Sequence, residues 1–368
     1  MRTHDQFQIR NQTNHNPVTM KNFMLKTTIV TGIIFISLFS SCKKDEPPAP
    51  NSNGMSIAPG DGVFVMNEGN YQGGNAKVSF YKYADGSVTE DLFMPANDRP
   101  LGDVGQSITM INGYAYVVVN NSGKIEVVDP HNFVSLKTIT GFTSPRFVLQ
   151  VSPTKAYVSD LFGGGISILN LTTNSISGYI PVADWTETML MTNGQVFVCA
   201  PNHDKVYVVD PNSNSVIDSI AVVKGGNSMQ LDANGKLWFL SYGDYATSAP
   251  GALIRINTTT HTPEMNLPFT TFDSPTRLCM NAAHDSLYYL NYAVMRMSIN
   301  DVALPIIPFI SQGTMNFYGL NVNPANGDIY VTDAVDYSQR GHLVRYSVNG
   351  TLLDNKIVGV IPGGIYFY

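Results

Sequence analysis

Apolar and polar positions in this chain fall into short alternating runs, and the runs recur. Tyr114 to Ile139 (YAYVVVNNSGKIEVVDPHNFVSLKTI), Lys155 to Ile180 (KAYVSDLFGGGISILNLTTNSISGYI) and Gln195 to Ile220 (QVFVCAPNHDKVYVVDPNSNSVIDSI) share one plan. Each opens on an alternating apolar run and crosses a polar loop into a second apolar run ending in Asp or Asn. A tight turn and a third strand follow. The aromatic residue of the first run sits at Tyr116, Tyr157, Phe197 and Trp238, in steps of 41, 40 and 41 residues. Weaker copies surround Phe64, Tyr288 and Tyr330, which makes seven. A period near forty, built of short strands with no amphipathic helix, predicts an all-β fold: a seven-bladed β-propeller of four-stranded antiparallel blades.

Taken in order, the first copy offers strands at 63–67, 77–83 and 88–93 but none before Val63 to line a central channel. The C-terminal Gly364 to Tyr368 is a spare strand, so it is expected to become the inner strand of blade one and close the ring without an open edge. Later inner strands are expected at 146–151, 187–191, 228–232, 276–281 and 318–322. Asn193-Gly194, Asn234-Gly235 and Asn326-Gly327 read as A-to-B hairpin turns, Asp85-Gly86 and Asn349-Gly350 as C-to-D turns. In an antiparallel meander these turns share one face. The B-to-C and D-to-A connections share the other.

That other face carries longer loops, rich in aromatic, amide and charged residues, as a binding face requires. Its candidate ligand-binding residues are Asn67, Glu68, Tyr71, Gln106, Asn121, Arg146, Asp160, Trp185, Glu187, Asn202, Tyr242, Tyr245, Arg277, Phe317, Tyr318, Asp333 and Tyr337. Each has a structural alternative. Ser144-Pro145-Arg146 equally suits a pin between blades, and Asp160 or Glu187 equally suits a cap on loop amides.

The N-terminus reads differently. Lys26 precedes an apolar run, Thr27 to Phe39, that fits a secretory signal and is too short for a stable membrane span. It ends in Leu38-Phe39-Ser40-Ser41-Cys42, which resembles a bacterial lipobox, although Phe39 departs from its usual small or aliphatic residue. The expected organisation is a signal peptide over 1–42 cleaved before a lipidated Cys42, a tether over 43–60 and the propeller over 61–368. The polar stretch before Met20 or Met24 is unusual for a signal, so one of those two is expected to be the true start. Lys43-Lys44-Asp45-Glu46 resembles the signal that sends bacterial lipoproteins to the outer face of the outer membrane.

Composition narrows the function. Charged residues are 14% of the chain, well below an average soluble domain. Removing residues 1–41 takes away four basic and one acidic side chain, leaving 18 and 27, a net charge of −9. So acidic a domain, with no basic stripe, implies no nucleic acid and membrane contact through a lipid anchor only. Cys199 and Cys279 fall in apolar strands of non-adjacent blades and read as core thiols. No GxSxG elbow, HExxH, CxxC or phosphate loop is present, and His203, His261, His284 and His342 are scattered. Glu68, Asp103, Asp160, Glu187 and Asp333 would hold a metal only if several converged. The expectation is no enzyme, no metal and no cofactor.

The repeats resemble YVTN/YncE-like propellers, with YVSD at Tyr157 to Asp160 and YVTD at Tyr330 to Asp333. The series NEGN (Asn67 to Asn70), LGDVGQS (Leu101 to Ser107), VVNNSGKIEVVD (Val118 to Asp129), SPR, KAYVSDL, TETM (Thr186 to Met189) and GDIYVTDA is similar to surface lipoprotein propellers that include BtuG-type, cobalamin-capturing members. That resemblance implies capture of a small molecule, cobalamin or another corrinoid, on the long-loop face and its transfer to a TonB-dependent transporter. Tyr71, Trp185, Tyr242, Tyr245, Phe317 and Tyr337 would stack on such a ligand. The alternative is a non-catalytic surface propeller that docks protein or glycan through the same face.

Overall fold

The computed structural model describes residues 56–368, and the expected signal, the lipidated Cys42 and most of the tether lie outside the described residues. Blade three shows the plan. Its inner strand Pro145–Ser152 is followed outwards by Lys155–Asp160, Gly165–Asn170 and Ser175–Pro181, each antiparallel to the last. Seven such sheets succeed one another, and each inner strand lies beside those of its two neighbours around a closed ring. The last strand, Pro362–Phe367, pairs with Gly62–Asn67 and completes blade one from the inside, as expected.

The apolar runs are nearly continuous because the middle strands of each blade are buried on both sides. The described residues hold seven hydrophobic clusters, one at each junction between blades. Ala115 and Val117 turn towards blade one, while Tyr116 and Val118 turn towards blade three. The repeated aromatic fills this junction and carries a polar tip across it. Tyr116 Oη donates to Asn174 Oδ1 of the next blade at 2.6 Å, and Tyr157 Oη to Asn214 Oδ1 at 2.7 Å. Where the aromatic is Phe197, the next blade supplies His261, edge-on to the ring at 5.7 Å.

Several expectations need correction. Blade six has three strands, Thr276–Met280, Ser286–Asn291 and Ala293–Ser298. The fourth position is taken by an irregular segment with Pro305 and Pro308, which lack the N–H a ladder needs, and only Ile310 bridges to Val294. The outer strand of blade one shrinks to Val88–Thr89, and Phe93–Asn97 forms a short helix whose Phe93 is wholly buried. The inner strand of blade four starts at Met189, so Glu187 precedes it. Ile57, inside the stretch expected to be tether, is buried, and its backbone N–H donates to the His131 carbonyl at 2.8 Å.

Candidate ligand-binding site at the long-loop mouth

The channel mouth on the long-loop face is built by one recurring irregularity. At that end of the inner strand, the register to the second strand slips: between Gly105 and Ser107, Pro145 and Val148, Gly226 and Ser228, Thr276 and Cys279, and Phe317 and Gly319. Blade one slips between Gly364 and Pro362, opposite Met66 and Asn67. In blade four, Glu187 N–H donates to the Cys199 carbonyl and Cys199 N–H to that of Thr188, so two residues oppose one. Such bulges re-aim a side chain. The bulged positions are Gln106, Arg146, Glu187, Asn227, Arg277, Tyr318 and Gly363. Hence every blade presents one residue at an equivalent place on the mouth. A Cβ on Gly363 would collide with the carboxylate of Glu68, so Glu68 occupies the seventh place from the neighbouring loop.

These residues form two paired clusters. Arg146 grips Glu187 with Nε 2.9 Å from Oε2 and Nη2 2.8 Å from Oε1, while its Nη1 donates to Gln106 Oε1 at 2.6 Å. Trp185 Nε1 donates to Glu187 Oε2 at 2.7 Å. Arg146 and Glu187 are 8% and 6% exposed, and Trp185 and Gln106 are buried beside them, tying blades two, three and four together. In the second cluster Arg277 lies 3.7 Å from Glu68 and 5.1 Å over the Tyr318 ring, with Nε donating to the Tyr318 carbonyl at 3.0 Å. Tyr318 Oη donates to Glu68 Oε2 at 3.1 Å. Tyr337 packs edge-on to Tyr318 at 5.6 Å, and its carbonyl accepts from Asn70 Nδ2 at 2.8 Å. Arg277 holds φ at 59°, a left-handed conformation that costs a non-glycine residue about 1–2 kcal/mol. Its contacts on Glu68 and Tyr318 hold the side chain in that position.

The remaining candidates divide into rim and scaffold. On the rim, Tyr242 and Tyr245 stack at 5.2 Å, and Tyr245 is exposed. Asn121 Nδ2 donates to Asp103 at 2.6 Å, and Tyr71 is half-buried in the adjoining loop. Asn202 and His203 both hold Asp184, at 3.1 and 2.7 Å. Burial opposes ionisation of Asp184, but these hydrogen bonds outweigh it and keep its pKa below the ordinary aspartate value. Four candidates belong to the scaffold. Asn67 is wholly buried, its amide committed to Val65, Lys77 and Ser79 and its Oδ1 to Gly359 N–H. Asp160 caps the backbone N–H groups of Thr143, Ser144, Phe162 and Gly163. Asp333 does the same for Asn316 and Val335. Phe317 packs in the hydrophobic junction of blades six and seven.

Asn227 is not among the residues singled out from the sequence, and Asn70 stands in the NEGN motif without being one of the candidate contacts. Asn227 stands three residues before Gln230, the partner of the repeated aromatic Trp238, just as Gln106 precedes Thr109, the partner of Tyr116. That offset was the available signal. Among the described residues no three His, Cys, Asp or Glu side chains gather closely enough to hold a metal ion, so the five carboxylates considered for one do not converge. Cys199 and Cys279 are free and buried, and burial pushes both thiols far above their ordinary pKa.

Among solved structures the chain is similar to a quinonprotein alcohol dehydrogenase-like protein from Bacteroides thetaiotaomicron VPI-5482, at 16% identity and TM-score 0.64 over 83% of this chain and 78% of that one. It is also similar to a functionally unknown protein from Desulfotomaculum acetoxidans DSM 771, at 11% identity and TM-score 0.63 over 83% and 98%. At such identities the likeness extends to the fold alone. No curated protein matches the chain. The model of one family, described as "Domain of unknown function (DUF5074)", matches residues 61–358, the whole ring except the strand that closes it, and the chain belongs to that family.

Proposed function

We propose that the long-loop mouth captures a small organic molecule without transforming it, and that the protein does so at the cell surface. The observation that carries this reading is the ring of bulges. Seven equivalent positions converge on one mouth: six carry two arginines, one carboxylate, two amides and a tyrosine, and Glu68 fills the place that Gly363 leaves open. Each arginine is paired with a carboxylate, so the site offers hydrogen bonds and aromatic faces with little net charge. That chemistry suits a large, mostly neutral ligand fringed with amides. Cobalamin or another corrinoid is the ligand class the sequence resemblance favours, with delivery to a TonB-dependent transporter of the outer membrane, beside which a lipidated Cys42 would hold the protein.

Calorimetry of the Cys42→Ala form against cobalamin and cobinamide tests the ligand. Saturable heat is expected, with an affinity that Trp185→Ala weakens over tenfold, since truncating a buried aromatic anchor costs about 2 kcal/mol. Absence of heat with every corrinoid removes that class. The anchor is tested separately: Cys42→Ala should leave the membrane fraction, and pelleting with membranes in detergent-free buffer would contradict lipidation. Deleting Lys43 to Glu46 should keep the anchor but abolish protease accessibility on intact cells. Docking of protein or glycan draws instead on the outer rim of blade six, where Ile306 is 93% exposed and Val302 and Ile307 project beside it. It predicts a binding partner unaffected by changes at the mouth.

A further inference from the structure

The opposite, hairpin-side end of the channel opens into a cavity of about 430 Å³, a volume sufficient for a small ligand. Its wall is contributed by blades one, two, six and seven and includes Met110, Met280, Pro324, Tyr366 and Phe367, with His284 at the rim. No Asp, Glu, Lys or Arg lines it, so an ion settling there would meet no side chain of opposite charge. Most polar side chains of the wall are already committed. Thr109 Oγ1 donates to the Val148 carbonyl at 3.1 Å, and Asn321 donates to the Ile365 carbonyl and accepts from Val322 N–H, both at 2.9 Å. Asn281 is bound within its own turn by Asp285 and Ser286.

His284 is different. Its Nδ1 lies 2.7 Å from the Leu231 carbonyl, which only accepts, so Nδ1 carries the proton. In the neutral ring Nε2 is then a lone-pair acceptor. The residue is held from both sides, because its own carbonyl accepts from Ala233 N–H at 2.9 Å. Met110, 37% exposed, leaves an adaptable thioether uncovered at the same mouth. We infer that the hairpin mouth is a second binding site, for an uncharged, flat, mainly apolar molecule whose single N–H or O–H donates to His284 Nε2. Indole and simple phenols are that class. The site is separate from the long-loop mouth and does not rest on its assignment.

The test is a titration of the full chain, labelled with ¹³C at the methionine methyls, with indole. The Met110 and Met280 signals should shift saturably. 1-Methylindole keeps the shape but lacks the donor, so it should bind about fivefold more weakly, the factor one hydrogen bond of about 1 kcal/mol carries. On His284→Ala the two should bind alike. Anionic indole-3-acetate should give no saturable shift, and Met110→Trp should abolish the response to indole by filling the mouth. Trp185→Ala should leave it unchanged, which separates failure here from failure at the long-loop mouth. Absence of a saturable shift with indole, equal binding of indole-3-acetate, or equal binding of 1-methylindole to the unmodified chain would overturn the proposal.

Discussion

The two mouths of one channel are made by opposite means. At the hairpin mouth the chain reverses in tight turns, such as Asn193-Gly194 with φ of 51° and 72°, the geometry that joins twisted strands directly. The polar groups of these turns are largely spent within them, as Asn281 is on Asp285 and Ser286, and the result is an uncharged hollow. At the long-loop mouth the connections are free to vary and every inner strand bulges. The polar side chains thrown inwards then pair with one another, Arg146 with Glu187 and Arg277 with Glu68. An antiparallel blade thus separates its duties: turn geometry dominates one end, and chemistry accumulates at the other. The ligands we propose differ accordingly, a broad amide-rich one for the bulged end and a small apolar one for the hollow.

Removing Gly364 to Tyr368 should destroy both mouths together, because this strand supplies a wall to each. Tyr368 packs on Phe64 at 5.3 Å and Phe367 on Tyr330 at 5.3 Å. Aromatics of this kind bury roughly 150–250 Å² each. The truncated chain should lose cooperative unfolding and aggregate through the exposed edge of Gly62–Asn67, seen by calorimetric scanning and light scattering. An unchanged melting temperature would disprove closure by the C-terminal strand.

A change confined to the long-loop mouth should separate the two ends. Arg146→Ala leaves Glu187 buried without its partner, and breaking such a pair costs about 3–5 kcal/mol. Denaturant unfolding should show that loss, while the indole response at the hollow persists in the folded fraction. Arg146 and Glu187 both replaced by apolar residues should recover much of the stability but not capture. If Arg146→Ala is neutral, the cluster is not a pin between blades.

Glu126 gives a smaller effect and a contrast, being a wholly buried carboxylate on Lys124–Val128, the third strand of blade two counted from the channel. Burial disfavours its charge, yet hydrogen bonds from Arg99, Lys124 and Ser135 outweigh this and pull its pKa down to about 2. A pKa depressed in the folded state means the stabilisation is present above the unfolded glutamate value near 4.5 and is lost as pH falls towards 2. Melting temperature should therefore drop across that window in the unmodified chain and less steeply in Glu126→Gln. Parallel acid limbs would show that Glu126 contributes nothing to acid sensitivity.

Much of this arrangement was legible in the sequence. The forty-residue step placed the blades, the missing strand before Val63 called for Gly364 to Tyr368, and the Asn-Gly turns separated the faces. The bulges were not legible, because each falls at the end of its strand, where a one-residue slip redirects a side chain but leaves too few residues beyond it for a shift in alternation to show. For Asp160 the sequence left two roles open, ligand contact and a cap on loop amides, and the cap is the one that forms; Asp333 ends its apolar run at a loop in the same way and takes the same role. Asn67 was misleading for the same reason: an amide at a strand end can turn inwards and satisfy backbone groups. The missing fourth strand of blade six is marked in the sequence by Pro305 and Pro308, which a forty-residue period does not register.

The most direct test asks which mouth captures the larger ligand. Cobinamide titrated into the unmodified chain, Trp185→Ala, Met110→Trp and Asn234→Ser, with affinity measured by calorimetry and folding checked by thermal unfolding, compares both ends at once. Capture at the long-loop mouth predicts over tenfold weaker binding for Trp185→Ala alone, with Asn234→Ser within about 0.5 kcal/mol of the parent in stability. Binding lost in Met110→Trp and kept in Trp185→Ala would place capture at the hairpin mouth and contradict the account.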